Sequence, residues 1–199
     1  MGMLLGGLVA AVPGWSEELL ERAGPLVVLK EALGYVGRGG RGTVVVVCGE
    51  AGVGKTALLR SFCDGLPQGQ RVLWGTCDPL FTPRPFGPLV AIAESAGGEL
   101  GPALAKGANP PEVALAVARE LRSAPPTLLV LEDLHWADEA TLDVFTLLVR
   151  RAETLPALVV GTYRDDALEN AVRGRATARR ARRRAGTTFT GVLPDRPKR

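Results

Sequence analysis

Residues 44 to 56 read Val44-Val45-Val46-Val47-Cys48-Gly49-Glu50-Ala51-Gly52-Val53-Gly54-Lys55-Thr56, and this stretch decides the fold. A β-branched run passes directly into G-x-x-x-x-G-K-T, a spacing that serves phosphate binding. Gly49, Gly52 and Gly54 let the backbone curl with its N–H groups inward, at a helix N-terminus whose dipole favours an anion. Lys55 is then within reach of β- and γ-phosphates, and the Thr56 hydroxyl is a ligand for Mg²⁺. Ala57-Leu58-Leu59-Arg60-Ser61-Phe62 reads as the helix that the motif requires next. The expected nucleotide-contacting set is Gly49, Glu50, Ala51, Gly52, Val53, Gly54, Lys55, Thr56 and Ala57.

Around this loop the chain alternates helices and strands. A helical stretch at 17–35 and a glycine-rich connector at 37–42 precede the first strand. A second strand fits 71–76, followed by a proline-rich loop at 79–88 and a helix from Leu89 to about Gly97-Gly98. Another helix fits 111–122, with Pro111 at its first position and Val113, Leu115, Val117 and Leu121 as its apolar residues. Residues 127–131 form an uninterrupted apolar run, as expected of a central strand covered on both faces. Asp138 is placed to cap a helix at 139–152, and 157–163 reads as a fourth strand. This rhythm predicts a parallel sheet with right-handed crossovers in a three-layer α/β/α arrangement. Ligands bind such sheets outside the carboxyl ends of the strands. The chemical candidates fall at those ends: Gly49 after the first strand, Glu132 and Asp133 after the third, Arg164 after the fourth.

An apolar strand ending in two acids supplies what a phosphate site needs. One carboxylate at the strand tip holds Mg²⁺, directly or through water, and a second orients an attacking water. By position Glu132 serves the metal, with Thr56, and Asp133 the water.

Bulk composition narrows the class. With 46% hydrophobic and 23% charged residues over 199 positions, the chain suits one folded domain and excludes a disordered one. No apolar run approaches the roughly 18 residues of a spanning helix, so a cytoplasmic location without membrane contact is expected. Residues 3–12 are apolar but have no Lys or Arg ahead of them, which argues against an export signal. Cys48, Cys63 and Cys77 lack metal-ligand spacing and read as buried thiols. The net charge of +3 divides unevenly: residues 171–199 carry +9 and the remainder −6, so the basic character belongs to the C-terminal segment.

Leu131-Glu132-Asp133-Leu134-His135-Trp136-Ala137-Asp138-Glu139-Ala140 resembles the Walker B region of AAA-like signal-transduction (STAND) ATPases, a group that includes the large ATP-binding LuxR-family transcriptional regulators. Four other segments agree. They are the loop 49–56, Gly75-Thr76-Cys77, Pro85-Phe86-Gly87-Pro88-Leu89 and Gly161-Thr162-Tyr163-Arg164-Asp165-Asp166. The resemblance runs from 19 to 168 and implies a P-loop NTPase fold of the AAA type that binds ATP and Mg²⁺ and hydrolyses slowly. It also implies that Arg164 senses the γ-phosphate and that Leu20-Glu21-Arg22 packs near the adenine. His135, the only histidine, either couples nucleotide state to the following helix or is a structural turn residue.

The resemblance stops near Leu168, where family members continue into a lid and a winged-helix module. The fold is therefore expected to be incomplete at its C-terminal end. The organisation expected is an N-terminal extension at 1–18, the nucleotide-binding domain at 19–170 and an Arg-rich tail at 171–199. Three readings of the tail stay open: a disordered segment that contacts polyanions, a degenerate sequence, or a helix at 171–185 followed by a fifth strand at 187–193. For the whole chain the leading expectation is an ATP-binding regulatory switch, a weak ATPase with room for protein partners or self-association. The alternatives are a nucleic-acid-binding or interaction module with a vestigial loop, and a small phosphotransferase.

Overall fold

The computed structural model describes residues 17–79, 84–164 and 188–192. Helix α1 (Glu17–Gly37) leads into β1 (Thr43–Cys48), the glycine loop and α2 (Lys55–Asp64). Then come β2 (Arg71–Thr76), α3 (Gly87–Ala96), α4 (Leu100–Ala105), α5 (Pro110–Ser123) and β3 (Thr127–Glu132). A 3-10 turn (Leu134–Trp136), α6 (Glu139–Arg151) and β4 (Ala157–Tyr163) complete the core. The strands are parallel throughout, in the order β2-β3-β4-β1, with β5 (Thr188–Val192) outside β1. β4 thus lies between β1 and β3 and brings the three candidate strand ends side by side.

Strand periodicity sorts the core into two layers. Val45, Val47, Leu128, Val130, Leu158 and Val160 pack with α1 and α2 through Leu29, Leu33, Leu58, Leu59 and Phe62. Leu73, Leu129, Leu131 and Val159 face the other way, onto Leu89, Ile92, Leu100, Val117, Leu121, Val144 and Leu148 of α3 to α6. The expected three-layer arrangement is present. Every residue of β3 is buried, as an uninterrupted apolar run predicts.

Two local features go beyond the expectation, and a third bears on one of its open alternatives. α4 is only six residues long and holds Gly101 and Pro102, which hide it in the sequence although Leu100, Ala103 and Leu104 fall at helical spacing and pack on the core. Glu120 of α5 is buried and ties three segments together. Its Oε2 accepts from Arg71 Nη2 at 3.0 Å, its Oε1 from the Glu99 N–H at 3.0 Å, and its carbonyl from Arg71 Nη1 at 2.7 Å. β5 falls inside the segment set apart as a tail, at the place where one of its three open readings has a fifth strand (187–193), and at these five residues the chain is a strand in register with Val44 to Cys48. Thr188, Thr190 and Val192 give it the β-branched alternation that suits a strand. The run 171–185 lies outside the described residues.

Candidate functional site

The glycine loop closes around its own lysine. Gly52 and Gly54 adopt φ of 76° and 99°, conformations that favour glycine. At Gly52 a Cβ would meet nothing within 4 Å, so backbone conformation rather than space selects glycine there. Lys55 is 7% exposed, and its Nζ donates to the carbonyls of Gly49 at 2.8 Å and Glu50 at 2.9 Å. An ammonium has three donors, so one stays available for a phosphate oxygen. Thr56 follows on the first turn of α2, half-buried.

The N-terminus of α2, like those of α3 and α4, lacks a side-chain cap and a first-turn acid, in contrast to α5 and α6. Of these uncapped ends only that of α2 follows the glycine loop. Asn109 caps α5 in a capping box with Glu112, and Asp138 caps α6 by accepting from the Thr141 N–H at 3.0 Å; each helix has an acid in its first turn. α2 starts at Gly54 with no side-chain cap and no acid in its first turn. Its first N–H groups and the positive end of its dipole face the loop without a competing side chain, as an anion site requires.

Glu132 ends β3 and is 4% exposed. Its Oε2 accepts from Trp74 Nε1 at 3.1 Å and from Thr76 Oγ1 at 3.5 Å, both on the neighbouring β2. Its Oε1 is buried without a hydrogen-bond partner among the described residues. A buried carboxylate oxygen left unpaired carries a desolvation penalty above the 1–3 kcal/mol or so typical of neutral groups. A cation bound there would remove it.

Asp133 comes next in a left-handed conformation, φ 56°. Its N–H donates to Thr162 Oγ1 on β4 at 2.7 Å, and Thr162 is fully buried. The carboxylate stays partly exposed, with Oδ1 3.9 Å from His135 Nδ1. The His135 ring lies 5.1 Å from that of Trp136 and 6.2 Å, edge-on, from that of Tyr163. Arg164 follows β4 directly and is half-buried, between the strands that carry the loop and the acids. Leu20-Glu21-Arg22 lies on α1, with side chains outside the described residues.

Asp138 links two of the segments on which the resemblance rests. Its Oδ2 accepts from the Phe86 N–H at 3.2 Å and also from the Thr141 hydroxyl, so one carboxylate joins the start of α6 to the start of α3. Cys77 is buried just beyond β2, and its N–H donates to the Glu132 carbonyl at 2.9 Å. Burial, together with the carboxylates of Asp138, Asp133 and Asp78, pushes its thiol from 9.0 up to about 12. Cys48 is likewise a buried thiol, and Cys63 a half-buried one.

Trp74 and Thr162 escaped the sequence reading as site residues. The threonine left a faint signal, a hydroxyl within an otherwise apolar strand. The tryptophan left none, because its relation to Glu132 depends on β2 pairing with β3.

A parallel sheet with a glycine loop after its first strand, an uncapped helix behind that loop and acids on a nearby strand defines a phosphate-binding-loop α/β domain of the NTPase type. Residues 18–160 match the model of the AAA ATPase domain, and the chain belongs to that family. Among solved structures it resembles the Aeropyrum pernix ORC1 protein, solved in complex with DNA, at 20% identity and a TM-score of 0.61 over 88% of this chain and 46% of that one. It also resembles the Aeropyrum pernix ORC2 protein, solved in ADPNP and ADP complexes, at 17% identity and a TM-score of 0.61 over 92% and 48%. Cdc6p from Pyrobaculum aerophilum matches at 20% identity and a TM-score of 0.60 over 92% and 48%. At such identities the likeness concerns the fold, and the chain spans about half the length of each of these three proteins. No curated protein matches the chain. No described helix is long and apolar enough to cross a membrane.

Proposed function

We propose that this chain is an ATP·Mg²⁺-binding switch domain of a signal-transduction or transcription-regulator type ATPase, with slow hydrolysis and conformation as its output. The observation that carries this reading is the bare N-terminus of α2 behind a glycine loop into which Lys55 is drawn. The loop residues Gly49, Glu50, Ala51, Gly52, Val53 and Gly54, with Lys55, Thr56 and Ala57, hold the phosphates. Among the described residues no cluster of three or more His, Cys, Asp or Glu could hold a metal unaided. Mg²⁺ would therefore rely on Thr56, Glu132 and the phosphates, the usual division of ligands for this ion. The unpaired Oε1 of Glu132 fits that role. Bound there, the ion would neutralise charge on the phosphates. Asp133 orients water, and Arg164, always charged and able to grip phosphate with two hydrogen bonds, reads the γ-phosphate.

The finer kinship, with the large ATP-binding LuxR-type regulators, rests on the residue patterns at 85–89, 131–140 and 161–166. The Asp138–Phe86 hydrogen bond supports it by joining the first two physically. Titration of a fluorescent ATP analogue tests the core of the proposal. Lys55→Ala should abolish binding, and equal affinity of variant and wild type would refute it.

A second reading draws on the charge of +9 in residues 171–199, which suits nonspecific contact with a polyanion. Replacing Arg179, Arg180, Arg182, Arg183 and Arg184 by serine should then abolish retention on heparin and its steep salt dependence. Unchanged retention removes that reading.

A further inference from the structure

The carboxylate of Glu132 is not free to choose which oxygen it presents. Trp74 and Glu132 are near-diagonal partners on adjacent strands: Trp74 stands opposite Val130, and Thr76 opposite Glu132. At that spacing a long side chain reaches its diagonal neighbour. The Trp74 indole packs against the cluster that holds Phe62, Leu128 and Val130, so packing fixes the ring. From that position Nε1 donates to Oε2 of Glu132 at 3.1 Å, and the Thr76 hydroxyl reaches the same oxygen at the longer distance of 3.5 Å. An indole N–H can donate but cannot accept or ligate a metal. Oε2 is thereby committed to β2, and Oε1 is left buried without a partner.

We propose that Trp74 is a positioning residue for the metal-binding carboxylate, holding Oε2 of Glu132 so that Oε1 is the oxygen offered to the Mg²⁺ that accompanies bound nucleotide. This rests on the function proposed above. Without the indole N–H, the glutamate is held by Thr76 alone at the edge of hydrogen-bonding distance. Its rotation about the terminal bond must then be arrested when the ion binds. Residues that orient a metal ligand in this way carry 10- to 100-fold in metal affinity as a rule. The indole therefore acts through Glu132, and its loss should be felt only where metal is involved.

Trp74→Phe in the full chain removes the N–H and keeps an aromatic ring in the packed position. The readout is binding of a fluorescent ATP analogue as Mg²⁺ is titrated. The Mg²⁺ concentration for half-maximal effect should rise about 10-fold, while affinity measured in EDTA stays that of the wild type. In a Glu132→Gln background the same substitution should change nothing further, which a packing role alone would not produce. A variant with Trp15→Phe and Trp136→Phe leaves Trp74 as the sole emitter. Its fluorescence should shift when Mg²⁺ is added with ATP, and should not shift with Glu132→Gln. That measurement decides the matter if Trp74→Phe does not fold. Wild-type Mg²⁺ dependence in Trp74→Phe, effects that add to those of Glu132→Gln, or a silent sole tryptophan would overturn the proposal and leave the ATP site standing. A wild-type chain that binds no nucleotide with Mg²⁺ overturns both.

Discussion

Thr162→Val is the substitution that most directly separates the positioning of Asp133 from the packing of the sheet. Valine matches threonine in shape but offers no acceptor, so the Asp133 N–H loses the 2.7 Å bond that holds a non-glycine residue at φ 56°. An amide left unsatisfied costs about 1–3 kcal/mol when buried. This one is only partly buried, which places the cost near 1–2 kcal/mol. For a domain of this size each kcal/mol is worth about 2–4 °C, so Tm should fall by roughly 3–6 °C. Asp133 is also the proposed water-orienting acid, so ATP turnover should drop on the order of 10-fold, in line with a misplaced catalytic group. Thr162→Ser is the matched control: it keeps the acceptor and forfeits a buried methyl worth about 1 kcal/mol. Its Tm should fall to a similar degree while turnover is retained. Thermal melts and phosphate release on both variants give the answer. If serine lost turnover as valine does, or if valine left both quantities untouched, the Thr162–Asp133 bond would have no part in the site.

Other expectations concern the frame around it. A Cβ on Gly42 would clash with the backbone carbonyl oxygens of Leu155 and Ala152, so Gly42→Ala should destabilise the domain by about 3 kcal/mol in chemical denaturation. Glu120→Ala should cost about 3 kcal/mol, the lower end for a broken buried pair because Arg71 retains some solvent contact; a loss below about 1 kcal/mol would contradict the joint described here. Cys77 should resist alkylation at pH 8 in the folded protein and react on unfolding. Its thiol stays protonated in the fold up to about pH 12 but ionises near 9.0 once exposed. The unfolded chain then binds fewer protons over that interval, so stability should decline as pH rises from about 9 toward 12. Cys77→Ser should flatten that part of the profile.

Much of the sheet could be read from the chain because each strand has its own local signature. Local patterning predicts β2 at 71–76 and β4 at 157–163, as observed, and β3 at 127–131 gains only Glu132. Asp138 could be named as a cap because Asx side chains favour that position whatever surrounds them. The glycine loop was equally legible, since its φ angles demand glycine at fixed spacing. What stayed hidden were relations between elements. That Trp74 holds Glu132, and that Thr162 holds Asp133, follow from the strand order β2-β3-β4 and from its register. No local pattern encodes these. α4 was invisible for another reason: a six-residue helix containing glycine and proline owes its form to contacts with α3 and α5 rather than to propensity.

Between Asp133 and Asp138 the chain has almost no slack. A single 3-10 turn fills the gap, with the first aspartate fastened to β4 at one end and the second to both α6 and Phe86 at the other. Such a strut cannot stretch or coil to absorb a shift at the tip of β3. On the function proposed above, a displacement of Asp133 by nucleotide would be passed through Asp138 to the starts of α6 and α3. So coupled, an ångström-scale event at a phosphate would become a change of surface some distance away.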